Sequence, residues 1–181
     1  MSRKYYDYVT RVVGGHGDVL PKHSWWPRHG ASMTRYLLEA AKHGDGRKAR
    51  GARDLLVATA AEWENYVPPA ARKLQKANPR MCGHARIERE MVDAALVHDR
   101  VALERLFRQA EKNVTEQSLM YGKAIPGFPE FRFSSLMNEH LRLFLESARA
   151  HLLGELGRYE ESERRRGENT VALFVLTANW F

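Results

Sequence analysis

Apolar residues recur along residues 86–115 with the spacing of two helices folded back on one another. Ile87, Met91, Ala94, Ala95 and His98 fall on one side of the first half, and Val101, Leu103, Leu106, Phe107, Ala110 and Val114 on one side of the second. His98-Asp99-Arg100 between them is polar, and the short carboxylate of Asp99 suits the free N–H groups at the start of a new helix. Two amphipathic helices cannot bury both stripes against each other alone, so this hairpin requires neighbours.

The pattern supplies them. Ser32 predicts the start of a helix carrying Met33, Tyr36, Leu37, Ala40 and Ala41, stopped by Lys42-His43-Gly44. A second helix follows with Ala49, Ala52, Leu55, Leu56, Ala60 and Trp63 on one face, closed by Pro68-Pro69. Residues 70–85 read as a basic connector. Residues 122–132 break the periodicity with Pro126, Gly127 and Pro129, and Phe128, Phe131 and Phe133 predict a packed loop, since three phenylalanines are costly to leave in water. From 134 to 166 a continuous stripe runs through Met137, Leu141, Phe144, Ala148, Leu152, Leu156 and Tyr159, weakened at Gly154 and Gly157, where the helix is expected to bend or turn. Arg164-Arg165-Arg166-Gly167 has the composition of a helix end, and residues 170–181 predict a short docked helix finishing in Trp180-Phe181. Residues 1–30 are non-periodic, broken by glycine and proline, and carry Trp25-Trp26, whose burial calls for an extended aromatic strap or a partner protein. The expectation is an all-α chain of stacked helical hairpins, α-solenoid-like or an irregular bundle, with an N-terminal strap over 1–30 and one helical domain over 31–181.

Composition narrows the class. The 181 residues are 44% hydrophobic and 28% charged, ordinary for a globular chain. A formal charge of +7 favours an anionic partner, either nucleic acid, an anionic membrane face or acidic subunits. Cys82 is the single cysteine, which excludes an intrachain disulfide and a thiolate cluster and suits an intracellular setting. The most apolar run, 171–178, is far short of a membrane span. Arg3, Lys4 and Arg11 among aromatic and valine residues give the N-terminus a faint likeness to an organelle-targeting segment.

Leu37-Leu38-Glu39-Ala40-Ala41-Lys42-His43-Gly44-Asp45, followed by Lys48-Ala49-Arg50 and Asp54-Leu55-Leu56, resembles the helical hairpin of pentatricopeptide repeat proteins. Met91-Val92-Asp93-Ala94-Ala95-Leu96 with Ala102-Leu103-Glu104-Arg105-Leu106-Phe107 looks like a second copy, and residues 151–161 are similar to the turn of a tetratricopeptide repeat. The turns stand farther apart than the ~34–35-residue period of those families. The resemblance implies α-solenoid packing and, for the pentatricopeptide branch, an organellar setting with RNA, a ribonucleoprotein or a respiratory assembly as partner.

Candidate chemistry is sparse. His151 and Glu155 stand at i, i+4, with Glu139-His140 earlier and His98-Asp99 elsewhere, which is rather like the ligand set of a haemerythrin-type bundle but lacks a second His-x-x-x-Glu. Cys82-Gly83-His84 is a contiguous trio, whereas catalytic Cys/His pairs meet through the fold. No catalytic residue, metal ligand or cofactor is assigned. The basic clusters weigh more. Lys42, Arg47, Lys48, Arg50 and Arg53, then Arg72, Lys73, Lys76, Arg80, Arg86 and Arg89, set eleven cations against two carboxylates over residues 42–53 and 72–89. Such an edge suits a phosphate backbone or an acidic subunit, and Trp25, Trp26, Trp180 and Phe181 are candidates for docking onto protein. The leading expectation is a non-enzymatic helical scaffold or accessory subunit of a larger assembly, mitochondrial ribosomal or respiratory/ATP synthase, with other protein subunits as partners. An RNA-binding helical-repeat protein using the basic edge is the alternative, and a metal-binding helical-bundle enzyme comes third.

Overall fold

A computed structural model of the chain describes residues 36, 47–66, 69–77, 83–178 and 180. These form six helices, α1 (Arg47–Tyr66), α2 (Pro69–Ala77), α3 (His84–Leu96), α4 (Arg100–Ala124), α5 (Glu130–Leu152) and α6 (Leu156–Ala178), with no strand among the described residues. The chain is all-α there. Consecutive helices pack as α3 on α4, α4 on α5 and α5 on α6, and next-but-one pairs meet as α1 on α3, α2 on α4 and α3 on α5.

The α3–α4 hairpin is the one the periodicity predicts. Ile87, Met91, Val92, Ala94 and Ala95 from α3 share a core with Leu103, Leu106, Ala110 and Val114 from α4. Asp99 caps α4 by accepting from the Ala102 N–H at 2.9 Å. The neighbours the hairpin requires are α1, which contributes Ala49, Ala52 and Leu56, and α5, which contributes Phe133, Met137, Leu141, Phe144 and Ala148. Tyr36, in helical backbone, donates its hydroxyl to Asp93 Oδ1 at 2.6 Å and so ties its segment to α3.

Several expectations are corrected. The supposed connector contains α2, which begins at Pro69, a residue whose fixed φ suits the first helical position. Helix α4 runs on to Ala124, so the loop before α5 is short. Phe128 and Phe133 anchor that loop beside Tyr121, with ring centroids 5.4–5.5 Å apart, but Phe131 is 86% exposed because it lies on the outer face of the first turn of α5. The stripe from 134 to 166 is two helices. Gly154, at φ 71°, ends α5, and its N–H and that of Glu155 return to the carbonyls of His151 and Ala150. This is the Schellman arrangement, for which glycine is the least strained choice. Residues 164–167 are no helix end either. Arg166 is wholly buried in the middle of α6, and its contacts outweigh the roughly 1 kcal/mol that Gly167 costs the helix. The predicted terminal helix is the last part of α6.

Candidate functional site

The basic residues occupy three helices. Arg47, Arg50 and Arg53 recur every third position on α1 and are exposed. Arg86 and Arg89 lie on α3 near Glu90, at 3.8 and 4.0 Å. Arg72 and Lys73 lie on α2, and Lys48 and Lys76 fall within α1 and α2. Lys42, Arg80, Trp25, Trp26 and Phe181 lie outside the described residues. The packing of α1 on α3 brings Arg53 and Arg89 to the same phenol. Burial and the Asp93 carboxylate raise the pKa of Tyr36, and the two guanidinium groups pull it the other way. Trp180 is half-buried, edge-on to Phe128 with centroids 6.2 Å apart, so its ring packs on its own bundle.

Two buried acid–base pairs lie inside the bundle. In α6, Arg166 holds Glu163 with two hydrogen bonds, Nε to Oε1 at 3.0 Å and Nη2 to Oε2 at 2.8 Å. Ser147 of α5 donates to the same Oε1 at 2.6 Å, and the guanidinium lies 5.8 Å from the centre of the Phe144 ring. In α3, His84 Nε2 stands 3.0 Å from Glu88 Oε1, and Asn113 of α4 hydrogen-bonds the same imidazole. Burial works against the imidazolium, but the Glu88 carboxylate and these hydrogen bonds outweigh it and raise the His84 pKa. Glu88 and Arg166 are sealed from solvent, so both arrangements read as interior fastenings between helices. Among the described residues no group of three or more His, Cys, Asp or Glu is placed to hold a metal ion.

The surface feature that gathers different chemistries is at the end of the bundle where the α3–α4 and α5–α6 turns lie. A cleft of about 510 Å³ is lined by Ala95, His98, Arg100, Leu103 and Glu104 from the first hairpin and Arg149, Leu152 and Leu153 from the second. His98 turns the chain with φ 56°, and the N–H groups of His98 and Asp99 return to the carbonyls of Ala95 and Ala94. This is the same Schellman closure as at Gly154, but with a side chain in the left-handed position. Exposed aliphatics stand at both turns, Val97 and Val101 at one, and Leu153, which lines the cleft, and Leu156 at the other. Val101 and Leu156 belong to stripes that the sequence assigns to the core, yet they are 79% and 58% exposed, and Leu55 on α1 is likewise exposed. Val101 and Leu156 each lie in the first turn of a helix, at the open end of the hairpin.

The chain matches no known family, curated protein or solved structure.

Sequence reasoning missed the cleft. Its aliphatic residues sit in otherwise regular stripes, and Arg100 and Arg149 belong to no charge run. One signal was available: a histidine between two helical stripes, where glycine or asparagine would close the turn with less strain.

Proposed function

We propose that this protein is a non-enzymatic helical scaffold or accessory subunit that docks onto other proteins of a larger assembly. The observation that carries this reading is the set of exposed aliphatics at the two adjoining turns, Val97, Val101, Leu153 and Leu156, of which Leu153 lines the cleft. Exposed aliphatic side chains collected at one place mark an interaction surface more than scattered ones do. Packing of α3 on α4, α4 on α5 and α5 on α6, with next-but-one contacts of α1 on α3, α2 on α4 and α3 on α5, suits stacked hairpins of the solenoid kind, which present their turns along one edge. A mitochondrial ribosomal, respiratory or ATP-synthase setting is the extension of this reading that the repeat resemblance favours.

The test is a pull-down of the tagged full chain from native extract at low and high salt, with protein and RNA analysed in both eluates. A stoichiometric set of proteins surviving high salt is the expected result. RNA alone, lost as salt rises, would overturn the scaffold reading and move function to the arginines of α1 and α3, since phosphate contacts are salt-sensitive.

A further inference from the structure

Resting on the docking reading above, we infer that the two-turn cleft receives an acidic amphipathic helix of a partner protein, an apolar side chain entering between Leu103 and Leu152 while carboxylates meet Arg100 and Arg149. The charge balance of the cleft points this way. Its one carboxylate, Glu104, already faces Arg108 at 3.9 Å. Arg100 and Arg149 have no ion-pair partner among the described residues, and His98 adds a further nitrogen base. An arginine opposite a carboxylate makes a directional, charge-assisted pair.

The apolar part of the lining selects protein over nucleic acid. Unpaired bases are held by stacking on aromatic rings, and the cleft offers one such ring, the His98 imidazole, beside an apolar lining of leucine and alanine. A second copy of this chain is a poor occupant, because its formal charge of +7 would oppose the approach. An extended peptide would need a strand edge for main-chain pairing, which the described residues do not offer. A helix needs only side-chain anchors, and about 510 Å³ lies within the range of pockets that enclose such groups.

Fluorescence anisotropy with the full chain tests the inference. The probe is a labelled synthetic peptide with leucine and phenylalanine on one helical face and glutamate on the other; its controls are the same peptide with lysine for glutamate, and oligouridylate. The glutamate peptide is expected to bind and the lysine peptide not. Leu153→Glu and Arg149→Glu should each weaken binding by about tenfold or more, whereas Phe131→Glu, with circular dichroism confirming the fold of all three, should leave it unchanged. Equal binding of the lysine peptide, displacement by oligouridylate, or equal loss in Phe131→Glu would overturn the inference. If the chain retains its salt-resistant proteins in the pull-down yet ignores the glutamate peptide, the acidic-helix inference fails and the scaffold reading stands. If both are lost, the scaffold reading fails too.

Discussion

The α3–α4 and α5–α6 hairpins are built alike and finished differently. Each closes with a Schellman turn at the same end of the bundle, and each holds one buried acid–base pair that a residue of the opposite helix completes. In the second hairpin the turn residue is Gly154 and the cation is an arginine, so backbone and charge are both relaxed and permanent. In the first the turn residue is His98 and the cation is His84, so the backbone carries strain and the charge depends on pH. Strained left-handed positions filled by a side chain cluster at working surfaces, because ordinary selection for stability would replace them. The difference is that the end of α3–α4 is held at a conformational cost that the end of α5–α6 does not bear.

The largest expected effect lies in the relaxed hairpin. Arg166→Met should destabilise the fold by about 3–5 kcal/mol, since Glu163 would remain buried without its partner. The double change Arg166→Met with Glu163→Leu should recover most of that loss, because a buried ion pair is often no better than well-packed apolar residues. Denaturant unfolding of both variants decides it. A double variant as unstable as the single one would mean that the pair contributes more than mutual neutralisation.

The matching change in the strained hairpin is smaller and depends on pH. The folded pKa of His84 is raised above its ordinary value of 6.5. Its ion pair with Glu88 therefore stabilises fully below that value, and the contribution disappears as pH climbs through the raised folded pKa. Glu88→Gln should cost about 1.5–3 kcal/mol in mildly acidic buffer and much less in alkaline buffer, read as melting temperature across pH. Arg166 keeps its proton over the whole interval, so the Arg166→Met defect should stay flat. A Glu88→Gln defect that is equally flat would remove His84 as the cause.

The turns give the smallest effects and the sharpest contrast. Gly154→Ala should cost about 1–2 kcal/mol from backbone strain alone, because nothing lies within 4 Å of the added methyl group. His98→Gly should instead stabilise by roughly 0.5–1 kcal/mol by relieving the same strain. Thermal unfolding of the two variants would show opposite signs. A destabilised His98→Gly protein would mean that the imidazole makes contacts worth more than the strain, and the two turns would cease to differ in kind.

Much of the architecture was legible in the chain. The stripes of α3 and α4, the Asp99 cap and the break at Gly154 are local signals, set by hydrogen-bonding capacity and by side-chain spacing over one or two turns. The failures share a cause. Arg164–Gly167 has the composition of a helix end, yet α6 continues through it because Ser147, from another helix, completes the site that neutralises Arg166. Residues 70–85 read as a basic connector, yet Pro69–Ala77 is a helix whose support comes from α4.

By itself, then, the sequence determined the helical character of the described residues, the hairpin at its centre and the positions of two turns, all of which depend on interactions within a few residues. Only the tertiary structure decided which apolar residues are covered. Val101 and Leu156 repeat the spacing of their buried neighbours, but a side chain is buried only if another element extends far enough to meet it. At the open end of the two hairpins none of the described helices covers them.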